Sequence, residues 1–505
     1  MHQSIQKFSR VMFVPLIAVA SCSPDNSLLD QPSHTQVSRD LAYSAAELDL
    51  LLPELLADAH IAGLSFCLIS ENEIAHCGAF GVTDAETGQL AESTTVFQAA
   101  SLSKPVFTYT VLRLVDRGVI DLDKPLLDYI DEATARKVHL GEDFDDPRIR
   151  VITARMVLSH MSGFPNWRQK GQIEFIFDPG ERFGYSGEGF GLLQQVVERL
   201  TGSSLEELVT TETFEPLGMV NSTFTPAKLD LTNYAWPHDG MGALTPRPAD
   251  FEGRMEKARA HAAATLLTTA PDYASFVIAI MTGMGLDPAT HIDFLWPQVG
   301  VDDEGTVKWG LGVGLEQSGI RQRVWHWGDN DDSKAFFVVD PLQGSGLVYF
   351  ANSFNGLSIV GDLLEVSMTG PHPLLEGALL SSYPTHDSTE FRFSATVYSD
   401  GAEGAVALVR QLQQESAADL LAEAVVNRMG YWLLGEDRIE DAIHLFELNV
   451  ELYPEAWNVY DSLGEAQLEA GLRHDALANY RRSLELNPEN GHARGVLTEA
   501  GQIVD

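Results

Sequence analysis

Ser101 and Lys104 stand three residues apart in the stretch Phe97-Gln98-Ala99-Ala100-Ser101-Leu102-Ser103-Lys104-Pro105. On a helix that spacing places both side chains on one face, within reach of each other. A serine hydroxyl attacks a carbonyl only when a neighbouring base takes its proton, and a lysine buried against it can be that base. The pair therefore has the chemistry of an acyl-transfer nucleophile. Taken alone it is more often a surface Ser and Lys at a helix start, because Ser-x-x-Lys arises frequently by chance.

Other residues of suitable type carry less. His160, in Ser159-His160-Met161-Ser162-Gly163, reads as a histidine that holds a loop. His139 with Glu142, Asp143, Asp145 and Asp146 reads as a solvated loop rather than a cation site. No His, Cys, Asp and Glu grouping has metal-ligand spacing, and no cofactor is expected. His238 and Asp239 fall in an irregular segment and carry no assignment. The glycines of Trp309-Gly310-Leu311-Gly312-Val313-Gly314 lack the strand–helix setting of a nucleotide fingerprint.

The elements that must position the tetrad follow from periodicity. Val106, Val111, Leu112, Leu114 and Val115 recur at helical spacing, and Gly118 supplies the stop. Upstream, residues 48–59 read as a helix and residues 63–70 and 74–82 as strands with polar turns. Downstream, residues 150–158 have one apolar face and lead into a loop closed by Gly163 and Pro165. Residues 189–200 are helical, 211–219 a short helix, 233–260 an irregular segment over the helical half near the cleft, and 273–281 a further helix. Strands return near 307: a glycine-rich one at 309–314, then 323–328, 335–340 and 346–351, before a closing helix at 357–368. Strands, a helical middle and more strands imply an antiparallel sheet made from both ends of one domain, with a helical insert. An active site at the junction of sheet and insert is the natural expectation. On the 323–328 strand, Trp325 and Trp327 share one side and His326 points to the other.

The 505 residues suit two or three domains. Lys and Arg number 33 against 72 Asp and Glu, a formal charge of -39 that repels phosphate backbones and argues against nucleic acid. The acidic excess is spread along the chain and reads as a solubility feature. At the N-terminus, Lys7 and Arg10 precede a short apolar run that ends Val19-Ala20-Ser21-Cys22. This pattern resembles the bacterial lipoprotein signal, with Cys22 the acylation point, and predicts a signal peptide over 1–21 and a polar tether over 22–43. Such a chain is expected in the bacterial cell envelope, facing the periplasm and more often at the outer membrane, or secreted. Cys67 and Cys77 fall opposite each other about a turn at 70–73, as a cross-strand disulfide or as two buried thiols.

Three separated motifs then align. Ser101-Leu102-Ser103-Lys104, Tyr185-Ser186-Gly187 and His326-Trp327-Gly328 resemble the three motifs of the serine beta-lactamase and penicillin-binding DD-peptidase family, closest to its class C beta-lactamase, DD-carboxypeptidase and esterase branch. Leu158-Ser159-His160-Met161-Ser162-Gly163, Asp178-Pro179-Gly180 and Trp309-Gly310-Leu311-Gly312 support the match. The resemblance implies an α/β (α+β) transpeptidase-like domain over 44–370, with helices on both faces of an antiparallel sheet and an all-helical insert. It implies that Ser101 forms an acyl-enzyme, that Lys104 and Tyr185 share the proton transfers, and that His326 completes the catalytic set. It further implies an oxyanion hole from the backbone N–H groups of Ser101 and Asp329, and a substrate pocket at Ser186, Gly187, Trp327 and Gly328. Two departures bear on substrate. His326 stands where many members carry a lysine, and Gly187 where beta-lactamases carry an asparagine that grips the substrate amide. Ester or D-amino-acid peptide hydrolysis is therefore the expectation, with beta-lactam hydrolysis or a silent binding protein as alternatives. Glu188 reads as a surface charge.

Residues 371–402 read as a linker, with a short strand at 391–397. Residues 403–505 read as a helical domain. There Gly430 and Gly464, Ala442 and Ala476, Phe446 and Tyr480, and Pro454 and Pro488 repeat with a 34-residue period, which resembles tetratricopeptide repeats. Such an array is a candidate docking surface for a protein or peptide partner, or a stabilising appendage, and 403–422 is expected to cap it.

Overall fold

The computed structural model describes residues 45–502, except 170, 229–230, 248–249, 251–252, 254–256, 303–304, 369, 378 and 415–420. The signal peptide, the tether and Cys22 lie outside the described residues. No helix among the described residues is long and apolar enough to cross a membrane.

Eleven strands are described: β1 (Gly63–Ser70), β2 (Glu73–Asp84), β3 (Gln89–Leu90), β4 (Phe97–Ala100), β5 (Leu266–Thr268), β6 (Val299–Gly300), β7 (Val307–Trp309), β8 (Gly314–Ser318), β9 (Arg321–Asp329), β10 (Lys334–Asp340) and β11 (Ser345–Ala351). Nine form one antiparallel sheet in the order β3-β2-β1-β11-β10-β9-β8-β7-β6, and β4 and β5 form a separate ribbon. The early strand β1 lies beside the late strand β11, with Cys67 opposite Val348. Both ends of the domain thus build one sheet, as the order of elements implies. Across β1 and β2, Cys67 faces Cys77 and the two are disulfide-bonded.

The central strands are buried on both faces, and their side chains alternate between two cores. Phe66, Leu68, Phe336, Val338, Leu347 and Tyr349 pack beneath the helices Ala45–Asp58 and Val360–Ser367. Cys67, Ile69, Phe337, Val339, Val348 and Phe350 face the insert, whose helices include Ser103–Asp116, Gly187–Thr201 and Ala270–Thr282. Trp325 and Trp327 belong to the first core, on the side opposite His326.

Two local expectations are corrected and a third is refined. The glycine-rich stretch is not one strand: β7 ends at Trp309, β8 begins at Gly314, and the residues between make a turn. Gly312 has φ +71, and a Cβ there would lie 2.0 Å from Thr108 Oγ1, so the chain turns tightly onto the Ser103–Asp116 helix. The short helix expected at 211–219 is present, as the π-helical turn Thr210–Phe214 running into the α-helical Glu215–Leu217. The strand expected at 391–397 lies instead in the helix Thr389–Gln414, interrupted at Gly401 where φ is 70. Phe393 and Val397 are one helical turn apart and both enter the core of the C-terminal helices. Aromatic and β-branched residues suggested a strand, and burial at a four-residue spacing made a helix.

Residues 371–383 fold back onto the sheet. Leu374 and Leu380 join its terminal-helix core. Arg323 Nη1 donates to Pro371 O at 2.9 Å and to the buried Glu316 Oε1 at 3.0 Å. Beyond them, Glu423–Gly435 with Ile439–Leu452, and Trp457–Glu469 with Arg473–Leu486, form two helix pairs. Gly430 lies under Phe446, and Gly464 under Tyr480, so the 34-residue spacing reappears as packing: a small residue lets an aromatic ring approach the facing helix.

Candidate active site

The nucleophile strand ends in a sharp turn. Ala100, the last residue of β4, has φ 47, a region most side chains avoid. The turn is pinned by Ser103 Oγ, which donates to Ala100 O at 2.6 Å and accepts from Leu266 N at 3.0 Å. Ser101 emerges from this turn just before the helix. Lys104, on its first turn, is fully buried, and its Nζ lies 2.9 Å from Ser101 Oγ. Nζ also donates to Ala263 O at 3.0 Å. Burial without a carboxylate partner draws the amine down from 10.5 to about 7. A neutral amine keeps one N–H for Ala263 and has a lone pair for the Ser101 proton.

Tyr185 arrives from the loop before the helix Gly187–Thr201. Its hydroxyl is buried, and Lys104 Nζ lies 4.6 Å from its ring centroid. The hydroxyl is directed toward Ser101. Burial raises its pKa, so the phenol holds its proton. The ring is packed between His160, at 4.3 Å, and Trp327, at 5.0 Å. His160 is the loop-holding residue that its sequence setting suggests: its Nδ1 accepts from Ser186 N at 3.0 Å. Ser186, expected in the substrate pocket, is fully buried and caps the Gly187–Thr201 helix through Gly189 N at 3.0 Å, while its hydroxyl donates to Pro165 O. It positions Tyr185 rather than lining a pocket.

Gly187 is hemmed in. A Cβ there would lie 2.8 Å from Asn166 O and 3.0 Å from Trp167, whose ring occupies the space where an amide side chain would reach. Glu188, expected at the surface, is buried and holds this loop. It accepts from Arg168 Nε at 2.9 Å and Nη2 at 2.6 Å, with His139 Nε2 3.2 Å away. Burial would push its carboxyl up, but His139 and Arg168 together draw it down to about 2. A polar residue at the N-terminus of a helix looked solvated, and its partners came from sequence-distant positions.

The opposite wall comes from β9. His326 is fully buried, with Nδ1 2.6 Å from Trp327 O and rings of Tyr185, Trp309 and Trp327 around it. Burial, reinforced by nearby Lys104, draws its pKa to about 3, so the imidazole is neutral. Gly328 lets β9 touch the nucleophile strand: a Cβ would lie 2.5 Å from Ala99 O. Asn330 Nδ2 ties the strand end to Gln98 Oε1 at 3.0 Å. The Asp329 carboxylate pairs with Lys334 and accepts from Tyr383 Oη at 2.7 Å. Trp327 Nε1 donates to the same Tyr383 oxygen at 3.3 Å. Tyr383 escaped the sequence reading because it falls in the segment read as a linker. The apolar pairs Leu374-Leu375 and Leu379-Leu380 were the available signal that this segment packs.

Ser101, Lys104, Tyr185, His326, Trp327 and Gly328 therefore converge where insert and sheet meet. A hydroxyl with a neutral amine behind it and a protonated phenol beside it is the equipment of acyl transfer.

Comparison with known proteins agrees. The family model described as Beta-lactamase matches residues 48–364. Esterase EstB of Burkholderia gladioli is 29% identical over 237 residues, covering 41% of this chain and 58% of that protein. Protein flp of Staphylococcus aureus is 22% identical over 335 residues, covering 61% of this chain and 63% of the other. The chain thus spans about three fifths of the length of these relatives. Among solved structures, the penicillin-binding protein homologue of Pyrococcus abyssi shares the fold with a TM-score of 0.54 at 20% identity, over 70% of this chain and 82% of that one. The matched region holds the whole sheet, the helical insert and the Ser101 cleft, and the chain belongs to the beta-lactamase family.

Proposed function

We propose that the protein hydrolyses a neutral carboxylic ester through an acyl-enzyme on Ser101, with Lys104 as the base. One observation carries the reading: the Lys104 amine sits 2.9 Å from Ser101 Oγ and is drawn by burial to about 7. At neutral pH a large share of it is unprotonated. Nζ takes the Ser101 proton as Oγ bonds to the ester carbonyl carbon. The resulting oxyanion is held by the N–H groups of Ser101 and Asp329. Tyr185 protonates the departing alkoxide and recovers its proton from the Lys104 ammonium. Water then attacks the acyl carbon, gives its proton back through the same pair, and releases the acid and free Ser101 Oγ.

The electrostatics favour an ester over a beta-lactam or a D-alanyl terminus. Both of those carry a carboxylate that needs a cation. His326 is neutral, Lys334 is paired with Asp329, and Arg168 is paired with Glu188. Trp167 over Gly187 also fills the space from which an amide would hold a peptide-like substrate. The esterase name of the Burkholderia relative points the same way.

The decisive experiment is intact-mass analysis after a fluorophosphonate, alongside turnover of p-nitrophenyl esters, nitrocefin and D-alanyl-D-alanine peptides. The expected result is one adduct on Ser101, with ester turnover far above the other two. Ser101→Ala should lose both adduct and turnover. No adduct with either a fluorophosphonate or a labelled penicillin would instead mark a binding protein. The Cys67–Cys77 bond supports an exported chain. A lipid anchor at Cys22 is checked by palmitate labelling that Cys22→Ala abolishes. The helix pairs from Glu423 to Leu486 support the tetratricopeptide-like reading of that region.

A further inference from the structure

A cavity of about 450 Å³ lies where the hydrolase domain meets the C-terminal helices. Its walls include Phe354, Tyr383, Phe391, Tyr398 and Trp432. The sheet side contributes Phe354, the fold-back segment Tyr383, and the helices the other three. Neither part of the chain encloses this space alone. Phe354 stays 39% exposed although it is aromatic. Tyr398 and Trp432 pack edge to face at 4.5 Å and brace the far wall.

The cavity adjoins the β9 wall of the Ser101 cleft. Asp329 lines it and directly follows the Trp327-Gly328 pair. Tyr383 lines it too, and its hydroxyl joins Trp327 and Asp329. Trp327 turns its other face to Tyr185, with ring centroids 5.0 Å apart. The Trp327–Tyr383 pair is thus a flank shared by the aromatic cavity and the reacting groups. The charge there is balanced. Lys334 neutralises Asp329 and lies 4.9 Å from the Phe354 centroid. Asp331 and Arg428, of opposite sign, are both exposed residues of the lining.

We propose that this cavity is a substrate subsite: it receives the apolar arm, alkyl or aryl, of the ester whose carbonyl is presented to Ser101. The inference rests on the ester reading of Ser101 and adds the substrate class. A neutral, aromatic-walled space of this volume lies within the range of small-molecule sites and has room for about fifteen water-sized groups. It suits a medium-length alkyl chain or a fused aromatic system. The C-terminal helices, on this view, complete the specificity pocket of the enzyme to which they are attached.

The test fills the cavity from its helical wall in the full chain. Ala395→Trp and Ser394→Trp each project an indole from the Thr389–Gln414 helix, and circular dichroism verifies that both variants fold. In the Ser101→Ala background, the neutral probe N-phenyl-1-naphthylamine should bind saturably and be displaced by p-nitrophenyl decanoate. Each tryptophan should weaken it at least tenfold. In the active protein, two ester series are compared, one lengthening the acyl chain and the other the alcohol. The long-to-short ratio of kcat/KM should fall at least tenfold in one series, which identifies the arm that enters. Unchanged probe affinity in both variants overturns the cavity as a site. A probe effect with unchanged ratios in both series overturns its connection to catalysis. If the wild type turns over no ester, the reading of Ser101 chemistry fails, and the probe titration still decides the cavity.

Discussion

The two walls of the cleft are built in different ways. On one, the side chains Ser101, Ser103 and Lys104 occupy a single turn of chain, held by Ala100 O beside them and by Ala263 O and Leu266 N, which come from 159 and 163 residues away. On the other, Trp327, Asp329 and Tyr383 meet across separations of 56 and 54 residues. The first wall holds the reactive groups, and the second frames whatever is presented to them. The Ser101–Lys104 side-chain pair is local and compact, because a proton must move less than 3 Å between them. Recognition is assembled at long range, where a later segment can be exchanged or refitted without disturbing the nucleophile.

The sharpest way to break the local wall is Lys104→Met. Loss of a positioned base should reduce kcat by about a thousandfold. Stability should move the opposite way. Between about 7 and 10.5 the unfolded chain binds a proton on Lys104 that the fold does not, so this residue's contribution to stability rises with pH across that window. Below it, the fold bears the full cost of a buried ammonium. The methionine variant should therefore melt above the wild type, by the widest margin below pH 7, with the gap closing toward pH 10.5. Thermal melts across that range check it. A variant less stable than the wild type at pH 6 would mean that Lys104 is not held as a desolvated amine.

Tyr383→Phe probes the assembled wall and should act more mildly. It removes a hydrogen bond to the Asp329 carboxylate and the acceptor of the Trp327 indole N–H. Loss of a bond to a charged acceptor costs about 1.5–3 kcal/mol when the site is desolvated, and less here because Asp329 keeps Lys334. The expected result is a modest fall in melting temperature and about a tenfold fall in kcat/KM, since Trp327 and the end of β9 lose their brace. Unchanged turnover would reduce residues 371–383 to a strap on the sheet.

This contrast also explains what the sequence made legible. Ser101 and Lys104 are readable because three residues at a helix start set their distance, and the strands β10 and β11 are readable because each is a short apolar run bounded by polar and turn residues. Cys67 and Cys77 could be placed opposite each other from one turn, though only the fold shows them bonded. Glu188 was misread because its partners, His139 and Arg168, lie 49 and 20 residues away and no local pattern names them. Phe393 and Val397 suggested a strand until a helical core claimed them. Tyr383 stayed hidden for the same reason as Glu188: its role exists only after residues 371–383 have folded back.

The smallest predicted effect separates two groups that ordinary values would confuse. A free histidine titrates near 6.5, close to the value of about 7 to which burial draws Lys104. An acid limb near pH 7 in kcat/KM therefore has two candidate owners. His326 is drawn to about 3 by burial and by Lys104, so it stays neutral across the working range and the limb belongs to Lys104. His326→Gln removes the titratable ring and keeps a side chain able to hydrogen-bond near Trp327 O. Activity should fall only several-fold, through looser packing among Trp309, Trp327 and Tyr185, while the limb near pH 7 persists. If the limb vanishes in that variant, His326 rather than Lys104 sets the protonation of the site, and the wall read as framing would carry the proton.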